Sequence, residues 1–328
     1  AGFAASFVMD RFGRKTAFLS LYTGFLIGTL LCGLAWSFST LLAARVAAGC
    51  FGGILGGLAL AIVGDVVPEE RRGRATGALM SAFAIASVVG VPVGLKIGTA
   101  YGWQAPFLIL AALGFPILLL AMQVLPPMRG HIRAQEKFSV WRRTKEMFGH
   151  ANHLRAFALT VSVMFGGFTV IPYISVYFVA NCGIQEKELF WVFVTGGLLT
   201  LVGAPLIGRA ADRFGKLPVF RIVASVACVL LLAITNLGAA TIWTASAVFG
   251  CLMLANAGRM VPALAMVTGS VEPSQRGGFM SANSAVQHLA AGVAADLGGW
   301  LLVESPTGAL LHFDRVGWTA VAATILSL

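Results

Sequence analysis

Residues 10–15 read DRFGRK, and residues 212–216 repeat the pattern as DRFGK about 200 positions later. Further short matches keep the same order and nearly the same spacing: residues 68–73 with 273–277, and residues 80–82 with 280–282. One such match would mean little, but three in order at nearly one offset indicate an internal duplication. The sequence therefore predicts two similar halves.

Long apolar runs connect these repeated segments. Hydrophobic residues make up 58% of the 328, charged residues only 11%, and the mean hydropathy is +0.86. A soluble domain carries roughly 25% charged residues, so this chain would expose a very large apolar surface in water. The 39 glycines also suit a membrane protein, because small residues let membrane helices approach closely.

All but the last of these apolar runs are long enough for a membrane-spanning helix, which needs about 20 mostly apolar residues. The runs lack the alternating pattern of barrel strands, and a helix satisfies its own backbone amides in lipid. We therefore predict ten helices, the last of them incomplete. They cover residues 16–36, 40–66, 74–97, 104–125, 154–179, 189–209, 217–236, 242–268, 277–302 and 315 to the end.

Lysine and arginine are distributed unevenly among the gaps between these runs. Eighteen of the 23 fall in one alternating set of gaps, at residues 11–15, 71–74, 129–155, 209–221 and 276. The positive-inside rule places this set in the cytoplasm, so we expect a multi-pass protein of a bacterial inner membrane. The net charge of +10 then reflects loops that face anionic lipid. We expect the bilayer, and no nucleic acid, as the partner of these charges.

One gap is much longer than the others. Residues 126–153 open with two prolines and carry the densest positive charge of the chain. We predict that they link an N-terminal bundle, residues 1–125, to a C-terminal bundle, residues 154–328. Trp141 and Phe148 among the basic residues suit a short amphipathic helix on the inner leaflet, and a solvated linker is the alternative.

The repeated loops match a known family motif. Residues 208–216, GRAADRFGK, match the loop signature of the major facilitator superfamily. Residues 10–15 match its stronger first copy, with Ser6 where the family has glycine. The spacing RxxxG that begins at Arg45 is similar to the family's motif in its fourth helix. Residues 90–94, GVPVG, resemble a reduced form of its antiporter motif in the fifth helix.

This resemblance covers essentially the whole chain. It implies an all-α membrane protein with the family's fold of two pseudo-symmetric six-helix bundles. In the family's numbering, the first bundle would run from the end of helix 2 to helix 6, and the second would contain helices 7 to 12. About ten of the family's twelve helices would then be present. Gly90, Pro92 and Gly94 would bend helix 5 and pack it against helix 8.

The loop signatures also imply a conformational latch. The aspartate of each copy can accept hydrogen bonds from amides at a helix N-terminus, and the arginines can pair with nearby acids such as Glu69 or Glu272. Such contacts would hold one conformation and release it in another. The alternative is that the basic residues of these loops only determine the orientation of the helices in the membrane. The expected latch residues are Asp10, Arg11, Gly13, Arg14, Asp65, Asp212, Arg213 and Lys216.

Polar residues inside the runs are candidates for a substrate or proton pathway. A buried arginine costs about 2.5–3.5 kcal/mol on insertion scales, so Arg45 and Arg259 each need a cavity or a partner. Asn283 and Gln287 lie one helical turn apart on one face, at about the depth of Arg259. We hypothesise that this cluster binds substrate or supports a gate. A structural set of hydrogen bonds between helices is an equal alternative.

A second polar stripe carries an acid. Asp296 is the only acid well inside its run, and His288, Gly292 and Asp296 follow one another at intervals of four residues. A buried carboxylate can carry a proton, so the stripe is a candidate proton site. The alternative is that Asp296 extends to water at the nearby helix end.

Aromatic residues flank a proline in the run 154–179. We expect Phe168 and Tyr173, on either side of Pro172, to line a cavity. Tyr177 lies near the outer end of the run, where an aromatic belt at the membrane interface is the competing explanation.

No enzyme motif is visible, since the sequence has no Walker loop, convincing metal set or nucleophile elbow. The five cysteines lack metal-like spacing and are expected to be buried thiols that act as small hydrophobes. The chain looks like the drug/proton antiporter and sugar-efflux branch of the family. We therefore expect a monomeric secondary transporter that exports small organic or amphiphilic compounds by alternating access. It would need no cofactor and would use the proton gradient.

Two other functions are also compatible with the sequence. One is import of a nutrient, such as a sugar or a carboxylate. The other is a transporter-like receptor that moves no compound. Neither the substrate nor the direction of transport follows from the residues alone.

Overall fold

The chain is described by a computed structural model that covers residues 14–68, 82, 85–126, 149–271, 276–306 and 308–328. Most of these residues are helical, as expected where backbone amides must find partners without water. The amphipathic helix considered around Trp141 and Phe148 lies outside the described residues.

The first half contains four described helices, which are α1 (Arg14–Gly33), α2 (Phe38–Val66), α3 (Val91–Tyr101) and α4 (Ala105–Val124). A π-helical turn, Ala86–Gly90, precedes α3. At the start of α2, the Ser37 hydroxyl accepts from the Thr40 amide at 3.3 Å, and the Thr40 hydroxyl accepts from the Ser37 amide at 3.0 Å. This reciprocal cap satisfies two amides that a helix start leaves without partners.

The second half contains seven described helices and one hairpin. The helices are α5 (Ala151–Phe168), α6 (Ile174–Ala180), α7 (Glu186–Phe214), α8 (Lys216–Thr235), α9 (Ile242–Gly269), α10 (Arg276–Leu301) and α11 (Phe313–Ile325). Between α10 and α11, strand β1 (Val303–Glu304) pairs antiparallel with β2 (Leu310–Leu311).

The surfaces of these helices suit a lipid environment. Within the described residues, seven helical segments are long and apolar enough to cross a membrane. Large apolar side chains remain exposed along them, for example Leu113 on α4 and Val229 on α8. In water such surfaces would favour association, whereas in a bilayer they face a solvent as apolar as themselves. The predicted class, an all-α membrane protein, is confirmed.

The predicted run 154–179 differs from the structure in one respect. Instead of one helix, α5 ends at Phe168, a 3-10 turn covers Ile171–Tyr173, and α6 begins at Ile174. Pro172 lies in that turn and has no amide hydrogen to donate to the preceding helix. The proline therefore divides the segment into two helices.

Gly215 joins α7 directly to α8 inside the repeated DRFGK motif. Its φ is 96°, a region in which a Cβ is strained and glycine is the usual residue. A single residue can therefore end one helix and begin the next. This gives the glycine of the motif a local structural reason that does not depend on any latch.

The described residues fall into two compact units. One comprises the described residues of Ala1–Ala82, Gly94–Met147 and Gly277–Ala285, and the other those of Phe83–Val93, Phe148–Arg276 and Val286–Leu328. In the first unit, Ala17 and Leu21 of α1 pack with Leu58 of α2. In the second unit, apolar side chains of α5, α8, α9 and α10 form one core that includes Val163 and Phe220.

Hydrogen bonds join the loops at one end of the second unit into what we call the loop cap, formed by residues 181–185, residues 236–241 and the β1–β2 hairpin. The Asn181 side chain donates to the Leu310 carbonyl and accepts from the Leu310 amide, both at 2.9 Å. The Ala240 amide donates to the Cys182 carbonyl at 3.2 Å. The side-chain amide of Asn181 thus pairs with the backbone of Leu310 in the way that a residue of a neighbouring strand would.

Tyr177 of α6 is buried against this cap. Its Oη donates to the Leu237 carbonyl at 2.7 Å, and its ring packs on Phe313 with 4.3 Å between centroids. The interface belt considered for Tyr177 is therefore wrong, because this face of α6 is turned toward α11 and the interior of the unit.

The cysteines differ in their surroundings. Cys182 is buried in the loop cap, where its thiol donates to the Leu237 carbonyl at 3.3 Å, and burial raises the pKa of this thiol to about 11. Cys32 is also buried, whereas Cys50 and Cys251 are exposed. The prediction of buried thiols is thus wrong for the last two, because their helix faces point away from the core.

Candidate functional site

Arg259 occupies the centre of a polar cluster inside the second unit. It lies on α9, about 15 Å from the helix end at Gly269, and only 1% of its surface is exposed. Its Nη1 donates to Thr324 Oγ1 of α11 at 3.1 Å, and its Nη2 donates to the Val163 carbonyl of α5 at 3.2 Å. Nη2 also donates to Asn256 Oδ1 at 2.6 Å. These four residues, the Arg259 cluster, tie three helices together.

Two glycines of α5 make room for the guanidinium. A Cβ at Gly166 would lie 2.8 Å from Arg259 Nη1 and would overlap Thr324 Oγ1. A Cβ at Gly167 would lie 3.3 Å from Arg259 Nη2. The close approach of α5 to Arg259 therefore depends on the absence of side chains at these two positions.

The charge of Arg259 has no counter-ion among the described residues. All three of its acceptors are neutral oxygens, and the Cys228 thiol is the one titratable group of the described residues that acts on it. In addition, Arg259 Nε and Asn256 Nδ2 are buried and have no hydrogen-bond partner in the described ranges of the chain. A buried charge without a partner is costly, and an ionisable residue inside the membrane usually marks function.

The sequence singled out Arg259 but grouped it with Asn283 and Gln287. Gln287 is half-buried and does not accept from Arg259, while Asn283 is buried. Sequence reasoning missed Asn256 and Thr324. Asn256 could have been found, since it precedes Arg259 by three residues and shares its helix face. Thr324 lies 65 positions away and carries no local signal.

His288, Gly292 and Asp296 form an exposed stripe along α10. No described atom lies within 4 Å of a Cβ at Gly292. Asp296 has no hydrogen bond or ion pair with another described residue, and it lies about 8 Å from the helix end at Leu301. The stripe thus presents an accessible carboxylate on α10, and its role in a proton pathway stays a prediction.

Tyr173 and Phe168 lie on either side of the break between α5 and α6. The Tyr173 Oη donates to the Ala295 carbonyl of α10 at 2.6 Å, and the Asp296 carboxylate acts electrostatically on the same phenol. Phe168 is 40% exposed. The structure therefore places Tyr173 beside the Asp296 stripe, whereas cavity lining by Tyr173 and Phe168 stays a prediction.

Arg45 of α2 lies in a more open setting in the first unit. Its side chain is exposed, and its guanidinium lies over the Phe107 ring of α4, 5.6 Å from the centroid. Such a cation–π contact is worth about 0.5–1 kcal/mol at an exposed site. No other described residue binds Arg45 through a hydrogen bond or an ion pair.

Part of the expected latch lies within the described residues. Asp212, Arg213 and Lys216 are exposed where α7 meets α8, and the Arg213 guanidinium lies 5.2 Å from the centroid of the Phe214 ring. Arg14 is half-buried at the start of α1. The remaining latch candidates, namely Asp10, Arg11, Gly13 and the side chain of Asp65, lie outside the described residues, as do Glu69 and Glu272. The latch therefore stays a prediction.

The segment around Pro92 combines a π-helical turn with a proline. Gly90 ends the turn, which packs against α7, and Pro92 is buried in the first turn of α3. Proline has no amide hydrogen, so the helix lacks one backbone hydrogen bond here, and the wider π-helical turn lies next to that irregularity. Among the described residues, no atom lies within 4 Å of a Cβ at Gly94. Close packing at Gly94 stays a prediction.

The described chain is thus a multi-pass helical membrane protein with charged side chains held inside its helices. The family model described as Major Facilitator Superfamily matches residues 1–184 and, a second time, residues 156–328. The chain belongs to the Major Facilitator Superfamily.

Two relatives carry names that mention efflux. A probable sugar efflux transporter of Pasteurella multocida is 26% identical over 196 residues, which cover 60% of this chain and 47% of that protein. A chloramphenicol efflux pump of Mycobacterium tuberculosis, Rv0191, is 28% identical over 205 residues, which cover 62% of this chain and 48% of that protein. The chain thus aligns with about half the length of these relatives.

One solved structure covers nearly the whole chain. The crystal structure of a bacterial homolog of the human lysosomal transporter Spinster, in an inward-facing and unoccupied conformation, has a TM-score of 0.67 at 16% identity. The alignment covers 99% of this chain and 83% of that chain. At this identity the likeness shows the shared fold, and the major facilitator fold predicted from the sequence is confirmed.

Proposed function

We propose that this protein is a secondary active transporter that exports small organic or amphiphilic compounds by alternating access, driven by the proton gradient. The observation that carries the proposal is the presence of two ionisable side chains, Arg259 and Asp296, within helices of a transporter-family fold. Such residues are expensive in a membrane and are kept where they serve transport. The efflux names of the two relatives support export over import.

Membrane orientation follows from the placement of the basic loops. We propose that they face the cytoplasm of a bacterial cell, with the protein in the inner membrane. The exposed Asp212, Arg213 and Lys216 would then lie at the cytoplasmic surface, where a latch could hold one conformation. The protein would act as a monomer, without a cofactor and without a catalytic step on the transported compound.

Asp296 is the proposed proton carrier. Its carboxylate is exposed on α10 and has no partner among the described residues, so it can exchange a proton with the side to which it is open. Protonation would remove its charge and lower the cost of moving it past lipid or apolar side chains. Coupling then requires that the two conformations bind the proton with different affinity.

A transport assay tests this proposal. The protein would be reconstituted into proteoliposomes, and uptake of a compound panel would be measured with and without an imposed pH gradient. We expect Asp296→Asn to abolish the stimulation by the gradient while exchange between two pools of the same compound continues. Glu304→Gln, at the exposed hairpin, is the matched control and should behave as the parent.

Each alternative gives a different result in this assay. Unchanged gradient dependence of Asp296→Asn at all pH values would show that Asp296 is not the proton carrier. Transport that runs only inward in oriented vesicles would favour nutrient import. The absence of transport for every compound of a broad panel would favour the transporter-like receptor.

A further inference from the structure

The Arg259 cluster leaves a specific set of hydrogen-bonding groups unused. The guanidinium donates through Nη1 and Nη2 to Thr324, Val163 and Asn256, but its Nε has no partner among the described residues. Asn256 accepts through Oδ1, but its Nδ2 likewise has no partner in the described part of the chain. Both unused groups are donors and both are buried, so each loses the hydrogen bonds that water would give it.

The orientation of the Asn256 amide is fixed by its neighbour. Oδ1 lies 2.6 Å from Arg259 Nη2, and the reversed orientation would place two donors against each other. Nδ2 must therefore remain a donor. The partner that would complete the cluster must supply acceptor atoms to Arg259 Nε and to Asn256 Nδ2.

The positive charge of the cluster further restricts which chemical groups can be that partner. The cluster carries one full positive charge, and no carboxylate of the described residues offsets it. Hydrogen bonds to charged groups are stronger than neutral ones, and a guanidinium matches the planar geometry of a carboxylate. An oxyanion therefore fits better than a neutral acceptor, and a cation is repelled.

The end of α5 lies directly against the cluster. The backbone at Gly166 and Gly167 approaches the guanidinium closely, with no side chain in between, and α5 ends one residue later at Phe168. A displacement of this helix end would therefore change what contacts Arg259. Helix shifts of one or two ångströms are within the range of transporter and switch motions.

From these four observations we propose that the Arg259 cluster binds the oxyanion of a transported organic compound, such as a carboxylate, through Arg259 and the Nδ2 group of Asn256. The inference rests on the proposed transport function and assigns a substrate class to it. The competing role, a purely structural link among α5, α9 and α11, predicts the same hydrogen bonds but no preference for anions.

Asn256→Asp separates the two roles. The new carboxylate would lie beside Arg259, supply the missing counter-charge and replace the donor Nδ2 with an acceptor. A structural link should therefore be kept or strengthened, whereas an incoming anion should be repelled. Asn152→Asp is the matched control, because Asn152 also precedes an arginine by three residues, with Oδ1 3.5 Å from Arg155 Nη1, but at an exposed site.

The probes are benzoate, benzamide and benzylamine, which share one ring and differ in charge. In proteoliposomes we expect Asn256→Asp to lower benzoate transport about tenfold or more, the size of a lost hydrogen bond to a charged group. Benzamide transport should change less than about twofold, and the melting temperature should stay equal or rise. Asn152→Asp should leave all three rates within about twofold.

Arg259→Lys and Arg259→Gln add a second, independent series. Lysine keeps the charge but loses the planar fork, so it should retain part of the preference for benzoate over benzamide. Glutamine should abolish that preference. If Arg259→Gln fails to fold, Asn256→Asp and Arg259→Lys still decide the question.

The outcomes distinguish this inference from the proposed transport function. Undiminished benzoate transport in Asn256→Asp, or an equal loss of benzoate and benzamide, would overturn the anion site. A parent protein that transports benzamide or benzylamine but not benzoate would also overturn it and leave the transport function standing. If none of the three is transported, stabilisation of the parent but not of Asn256→Asp by benzoate would support the site, and equal or absent stabilisation would overturn it. The transport function itself is decided by the broad compound panel.

Discussion

Arg259 and Arg45 carry the same guanidinium inside a helix of each half, and the structure surrounds them in opposite ways. Arg259 is 1% exposed and donates to oxygens on three helices. Arg45 is exposed and contacts one aromatic ring. The difference shows that burial of the charge, not its presence in an apolar run, determines how much of the neighbouring sequence it constrains.

The constraint is visible in the neighbours of each arginine. Gly166 and Gly167 must lack side chains for Arg259 to fit, and Thr324 must offer an oxygen. Around Arg45 an aromatic residue at position 107 is enough. A buried guanidinium therefore requires compatible residues on every helix that encloses it, whereas an exposed one leaves them nearly unrestricted.

The largest expected effect is on stability and comes from Arg259→Ala. It removes three interhelical or intrahelical hydrogen bonds and leaves a cavity, which together should lower the free energy of unfolding by about 2–5 kcal/mol. Arg45→Ala should cost less than about 1 kcal/mol, because it loses one exposed cation–π contact. Unfolding in mixed detergent micelles, followed by circular dichroism, measures both. Equal effects of the two substitutions would show that burial does not distinguish the two arginines.

A smaller effect is expected from Gly166→Ala. The added methyl group would lie 2.8 Å from Arg259 Nη1, and such overpacking typically costs about 1–3 kcal/mol. Gly292→Ala is the control in the same unit, since a Cβ there has no neighbour within 4 Å in the part of the chain that the structure describes. That substitution should be neutral or stabilise by up to about 1 kcal/mol through helix propensity. The same micelle unfolding assay compares them, and a neutral Gly166→Ala would show that α5 does not pack closely on Arg259.

Much of the helical layout could be predicted from the sequence. The run 242–268 corresponds to α9 at Ile242–Gly269, because a long apolar segment in lipid must satisfy its backbone amides as a helix. The break at Pro172 was not included in the predicted run 154–179, although the chemistry of proline explains it. These features depend on residues close together in the chain, so a local pattern is sufficient to find them.

The composition of the Arg259 cluster could not be predicted in the same way. Thr324 and Val163 reach Arg259 from helices far away in the sequence, and no local pattern states which faces of α5, α9 and α11 meet. The burial of Tyr177 was missed for the same reason. Its position near a helix end suggested an interface, but the direction of its side chain depends on the packing of α6 against α11.

The smallest expected effect concerns the aromatic partner of Arg45. Phe107→Leu keeps an apolar side chain but removes the ring face, so the coupling energy with Arg45→Gln should be about 0.5–1 kcal/mol in a double-mutant cycle. Phe115→Leu, on the same helix and 57% exposed, should show coupling close to zero. A coupling above about 2 kcal/mol would mean that Arg45 is desolvated as strongly as a buried cation, and the contrast with Arg259 would then be lost.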